Sequence, residues 1–121
     1  MAKECFGAAA VPLSPAVRAG DFIYVSGQVP VGADGEIVGS TVGVQTRQVL
    51  DNIKAALALA GAEMKDIVKT TVLLEDARDF GAFNKAYAEY FPSEPPARTT
   101  QECRLMIDIK VEIDAIAYKP R

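Results

Sequence analysis

Histidine does not occur among the 121 residues. Its absence excludes Ser-His-Asp and Cys-His relays within the chain, together with any metal site built on imidazole. Tryptophan is missing too, and the two cysteines, Cys5 and Cys103, lie far apart with no C-x-x-C partner. Nothing in their spacing argues for a bridge, so a reduced, cytoplasmic chain is the simpler expectation. No apolar run approaches the ~20 residues of a membrane span. Met1-Ala-Lys-Glu4 has no apolar run and cleavage site behind it, so no secretory leader is expected. Basic residues are outnumbered: 13 Lys and Arg against 16 Asp and Glu leave a net charge of −3. A nucleic-acid binder usually carries a basic footprint, and this chain has none. Neither a membrane nor a nucleic acid is therefore an expected partner.

What is present is the balance of a globular protein, with 50% hydrophobic and 24% charged residues. The length suits a single domain spanning residues 1–121, able to bury a core without disulfides.

Met1–Leu13, small and polar, reads as an irregular arm. Ala16–Arg18 is a short candidate strand, and Phe22–Ser26 is a second, rich in aromatic and β-branched residues. Gly32-Ala33-Asp34-Gly35 is a turn, which makes Glu36–Val38 the returning arm of a hairpin. Apolar Val49, Leu50, Ile53, Leu57 and Ala60 recur at helical spacing and predict a helix from Val42 to Ala60. Gln45, Arg47, Gln48, Asp51 and Lys54 form its wetter side, and Gly61 ends it. Ile67–Leu74 predicts a strand. A second helix starts near Asp79, a candidate N-cap, with Phe80, Phe83 and Tyr87 on its apolar face, and Pro92, Pro95 and Pro96 stop it. Arg98–Leu105 and Ile107–Ala117 are the last strands, the latter marked by alternation of Ile107, Ile109, Val111 and Ile113 with charged residues.

The order β-β-β-α-β-α-β-β describes an α+β fold with two helices on one face of a sheet. Phe22–Val25 and Val72–Leu74 are apolar on both faces, so the second face also needs a cover. Another copy of the chain is the simplest source, and a homo-oligomer is expected.

Several segments, taken together and in order, resemble the Rid family of reactive intermediate deaminases, also called YjgF or endoribonuclease L-PSP. They are Gly20–Pro30, Gln45–Ile53, Asp79–Asn84, Pro96-Ala97-Arg98-Thr99 and Val111–Ala117. The resemblance implies a chorismate-mutase-like fold: a mixed sheet with two helices on one face, assembled as a homotrimer around a central barrel. It also implies three sites in the clefts between subunits. The activity it implies is hydrolysis of enamine and imine intermediates, of the 2-aminoacrylate/2-iminopropanoate type, to a 2-keto acid and ammonium. It implies no cofactor and no metal, in keeping with a chain that lacks histidine.

The matched positions supply the candidate site. Arg98 is implied to bind the substrate carboxylate, a role suited to a guanidinium that grips carboxylates with two parallel hydrogen bonds. Spacing alone favours an arginine ion-paired at a subunit rim. Glu112 is implied to hold the attacking water, where alternation alone reads it as one of a solvated row. Thr100 stands where relatives offer a main-chain carbonyl to the nitrogen or water. Asn84 and Ser26 are further candidate substrate contacts, each with a structural reading beside it, and Gly27 is read as a close backbone approach. Cys103 is read as a small buried residue.

Two departures bear on the match. Leu13 replaces a tyrosine usual in the family's first motif, which makes the pocket more apolar and admits a larger side chain. Arg98 and Leu105 stand one residue closer than usual, and a bulge or altered hairpin is expected to absorb the change. Besides deamination of small imino acids, two readings stay open. One is deamination of a larger, aminomuconate-like acid. The other is a non-catalytic binder of small carboxylates that reports metabolite levels, distinguishable by ligand stabilisation without ammonium release. Ribonuclease activity, attributed to some relatives, is disfavoured by the absence of histidine and the net negative charge.

Overall fold

A computed structural model describes residues 2–121. Six strands form one mixed sheet in the order β1-β2-β3-β6-β4-β5, and two helices pack on one of its faces. The strands are β1 Glu4–Phe6, β2 Ala16–Ala19, β3 Phe22–Gln28, β4 Ile67–Leu74, β5 Ala97–Glu102 and β6 Val111–Tyr118. All pairings are antiparallel except β4 with β5. The parallel pair requires a crossover, and α2, Phe80–Ala88, provides it.

Helix α1, Val42–Leu59, starts where Thr41 Oγ1 accepts a hydrogen bond from the Val44 N–H at 3.3 Å. It ends at Gly61, whose φ of +81° suits glycine. Its buried stripe, Val49, Leu50, Ile53 and Leu57, meets Ile23, Val72 and Ile113 in the core. Gln45 is the exception to the expected wet side. It is 4% exposed, donating to the Gly39 carbonyl at 3.1 Å and accepting from the Lys110 N–H at 2.8 Å. A buried amide bonded at both ends is satisfied in place of water.

Four expected boundaries are corrected. The arm Met1–Leu13 is not wholly irregular: Glu4–Phe6 pairs with β2, while Met1 lies outside the described residues. Glu36–Val38 is not a strand but a single bridge, Val31 with Ile37, so the third strand before α1 comes from the N-terminal arm instead. The last strand begins at Val111, not Ile107, and β5 stops at Glu102, short of Leu105. Ile107 accepts from the Ile109 N–H at 2.9 Å in a turn, which breaks the alternation as a strand while leaving Ile109 buried.

The cap before α2 also differs. Asp79 makes no side-chain bond to the helix; Asp76 instead caps a 3-10 turn, Ala77–Asp79, by accepting from the Arg78 N–H at 2.9 Å. Beyond Ala88 the chain continues in i→i−3 bonds as far as Phe91, where Pro92 stops it.

The two faces of the sheet differ sharply. Val111, Ile113, Ala115 and Ala117 of β6 are buried under the helices, while Glu112, Asp114, Ile116 and Tyr118 point the other way. On that open face Phe22, Tyr24 and Tyr118 are 40%, 46% and 46% exposed, and the Phe22 and Tyr118 rings pack at 5.2 Å. The isolated chain exposes 7096 Å². A folded monomer of this mass would expose about 6,000 Å². A single copy thus leaves one aromatic sheet face uncovered.

Candidate functional site

The proline-stiffened stretch before β5 leads directly into Arg98. In the parallel pairing with β4, Arg98 stands beside Thr70 and Thr100 beside Val72. Thr70 and Val72 are fully buried beneath the helices, so Arg98 and Thr100 also project from the helix face, at the sheet's β5 edge. There the Arg98 guanidinium lies against α2. Its central carbon is 4.8 Å from the Tyr87 ring centroid, 5.3 Å from Phe83 and 5.7 Å from Phe80. Among the described residues no carboxylate stands within 4.0 Å of Arg98.

Tyr87 is held in turn by its hydroxyl, 2.7 Å from Thr70 Oγ1. Burial pushes the Tyr87 phenol up, opposed by the Thr70 hydrogen bond and the nearby Arg98 charge. Asn84, one turn after Phe80 and one before Tyr87, shares this flank of α2. Its Oδ1 is buried without a hydrogen-bond partner among the described residues.

Glu112 is elsewhere. It pairs with Leu73 of β4, whose side chain is on the face opposite Val72 and Leu74. Within one chain Arg98 and Glu112 therefore project from opposite faces of the sheet. Near Glu112 the backbone of β3 bulges between Val25 and Gln28. At the bulge stands Gly27, where an added Cβ would overlap Glu112 Oε2 and lie 3.2 Å from its carboxyl carbon. The glycine thus makes room for the carboxylate. Burial, with Asp114 adding repulsion, pushes the Glu112 carboxyl above its ordinary value.

Ser26 belongs to this second group. Its Oγ donates to the Ser14 carbonyl at 2.6 Å and its N–H donates to the Pro15 carbonyl at 3.0 Å. The hydroxyl proton is thus committed to the loop, leaving only lone pairs for a ligand. Leu13, next to Ser14, is 46% exposed.

Pairing of β4 with β5 is continuous from Lys69–Ala97 to Leu74–Glu102, while the β4–β6 ladder shifts register between Ile67 and Lys69 and is continuous from Lys69–Ile116 to Leu74–Val111. The aromatic surround of Arg98 was read in sequence only as a core face. Its signal was four aromatics, Phe80, Phe83, Tyr87 and Phe91, at helical spacing just before the arginine.

Residues 5–119 match the family model described as endoribonuclease L-PSP. The chain is 49% identical over 110 residues to a RutC family protein of Pyrococcus horikoshii, covering 89% of this chain and 87% of that one. It is 42% identical over 123 residues to the 2-iminobutanoate/2-iminopropanoate deaminase of Escherichia coli K12, covering 98% and 96% of the two chains. The crystal structure of Escherichia coli TdcF with bound serine superposes with a TM-score of 0.90 at 34% identity, over 96% of this chain and 98% of that one.

Proposed function

We propose that this chain, which belongs to the endoribonuclease L-PSP (Rid, YjgF) family, hydrolyses small enamine and imine acids of the 2-iminopropanoate type to 2-keto acid and ammonium. The observation that carries the proposal is Arg98: a guanidinium held on one side by three rings, with no carboxylate of its own chain to neutralise it. Such a group is ready for a ligand carboxylate. The Escherichia coli relative named as an iminoacid deaminase supports the choice of substrate.

The site is completed between copies of the chain. Arg98, Thr100 and Asn84 lie at the β5 edge on the helix side, whereas Ser26, Gly27 and Glu112 lie on the open face. A homotrimer that covers the open aromatic face brings the first group of one copy to the second group of its neighbour.

The chemistry follows from these roles. Arg98 binds the carboxylate, and a proton from solvent adds to the enamine's terminal carbon, giving the iminium directly. The Thr100 carbonyl accepts a hydrogen bond from the imine N–H. Glu112 of the neighbouring copy accepts a proton from a water that attacks the iminium carbon, and the C–O bond forms as the C=N π bond opens. The carboxyl returns that proton to nitrogen; the carboxylate then takes the carbinolamine hydroxyl proton as the C=O bond forms and the C–N bond breaks, and the ammonia released takes up that proton to leave as ammonium. No step requires a metal or organic cofactor.

A second reading rests on Leu13. An exposed apolar residue beside the Ser26 loop extends the pocket with a surface suited to a longer aliphatic or unsaturated side chain. The test is the decay of 2-iminopropanoate generated in situ, followed alongside longer 2-imino acids, for the wild type and Arg98→Ala. Acceleration lost in Arg98→Ala supports deamination, and preference for longer acids supports the second reading. Stabilisation by keto acids without turnover would instead make the protein a carboxylate binder.

A further inference from the structure

We infer that Tyr87 is a positioning residue for Arg98: the Thr70–Tyr87 hydrogen bond fixes a ring over which the guanidinium is held, directing it toward the substrate carboxylate. This inference rests on the reading of Arg98 as the carboxylate-binding group.

A guanidinium that binds a carboxylate through two parallel bonds needs its plane and direction set beforehand, and an arginine on an edge strand has several free rotors. Ion pairing commonly supplies that order, but it would also occupy the fork. Among the described residues no carboxylate lies within 4.0 Å of Arg98, and three ring centroids at 4.8, 5.3 and 5.7 Å do the holding. Aromatic faces attract the cation without using any of its N–H donors. The guanidinium is therefore held without a carboxylate of the described residues occupying its fork.

Tyr87 is the centre of the arrangement. It is the nearest ring, it is 6% exposed, and its hydroxyl is anchored 2.7 Å from the fully buried Thr70 Oγ1. Phe83 and Phe91 pack against it at 5.3 and 4.7 Å, so the ring has no freedom to tilt. Thr70 is also the residue that stands beside Arg98 in the β4–β5 register. One residue pair thus fixes both the strand that carries the arginine and the ring that orients it.

The test uses the full chain and pyruvate, the product of the proposed reaction, as probe. The 15N NMR signal of the Arg98 Nε–H reports ring stacking by an upfield ring-current shift, independently of any catalysis. It is expected shifted in the wild type and returned toward the ordinary arginine position in Tyr87→Leu. Pyruvate affinity is expected to fall about 3- to 30-fold in Tyr87→Leu. Tyr87→Phe, which keeps the ring but loses the anchoring bond to Thr70, is expected to fall between the wild type and Tyr87→Leu. Should Tyr87→Leu fail to fold, Phe80→Leu removes a 46% exposed ring and is expected to shift the same signal and weaken pyruvate binding in the same direction.

An unshifted wild-type signal overturns the inference. So does a folded Tyr87→Leu, or Phe80→Leu in its place, that binds pyruvate as tightly as the wild type. A wild type that binds pyruvate through Tyr87 and Arg98 yet does not hydrolyse imines supports the positioning role while refuting the deaminase reading.

Discussion

Gly27→Ala isolates the placement of the Glu112 carboxylate from the stability of the fold. The backbone at Gly27 is outside the left-handed region, so alanine is conformationally acceptable there. Its Cβ would nevertheless overlap Oε2 of Glu112 and stand 3.2 Å from the carboxyl carbon and 3.4 Å from Cγ. The obstacle is the free end of a side chain, so Glu112 swings away instead of the sheet breaking. Clearing the overlap takes a shift of about 1 Å, and a displacement of that size at a reacting group costs on the order of 100-fold in rate. The fold is expected to lose no more than about 1 kcal/mol. The measurement pairs kcat/KM for 2-iminopropanoate with a urea melt, run beside Glu112→Gln. Glu112→Gln and Gly27→Ala should reduce kcat to a similar extent while leaving pyruvate binding at Arg98 largely intact. Full activity in a folded Gly27→Ala would refute the reasoning that the glycine holds space for a working carboxylate.

Three further outcomes are expected. Burial, with repulsion from Asp114, pushes the Glu112 carboxyl above its ordinary value. If the ionised form is the base, kcat/KM falls as pH drops through that raised value, and a pH–rate profile of Glu112→Gln lacks this acid limb. The same shift makes ionised Glu112 destabilising. Its contribution to stability is favourable below the unfolded pKa and lost as pH rises through the folded one, so Glu112→Gln should flatten the pH dependence of the denaturation midpoint. Gln45→Leu leaves the Gly39 carbonyl and Lys110 N–H without their buried partner and should cost about 2–4 kcal/mol in a urea melt. Arg98→Lys keeps the charge but loses the planar fork and its stacking; KM should rise about 10- to 100-fold with a smaller change in kcat.

Much of the scaffold was readable from residue types. The α1 stripe is buried as its spacing requires, and Ile67–Leu74 is a strand with the expected bounds. Local pattern misled where tertiary partners decide. Ile107 and Ile109 alternate as a strand would, yet they belong to a turn because β6 has a β4 partner only from Val111 onward. Gln45 looked wet by polarity, but two main-chain groups across the fold draw it inward. Glu4–Phe6 carries no strong strand signal and is ordered by β2. The site was legible as a set of motifs and not as a geometry. Whether Arg98 and Glu112 share a face depends on strand register: Arg98 stands beside buried Thr70, Glu112 beside Leu73 on the other face. A period-2 pattern tells which residues of one strand lie together, and pairing between strands is needed to compare two of them.

That opposition of faces makes subunit complementation the most direct measurement. Arg98→Ala and Glu112→Gln chains, each strongly impaired alone, would be mixed in equal amounts, dissociated and reassembled, and assayed on 2-iminopropanoate. If every site takes Arg98 from one copy and Glu112 from its neighbour, about a quarter of the sites in a randomly mixed cyclic assembly are intact. The mixture is then expected to recover about that fraction of wild-type activity. Reassembled mixtures that stay as impaired as their parents would contradict a site shared between copies.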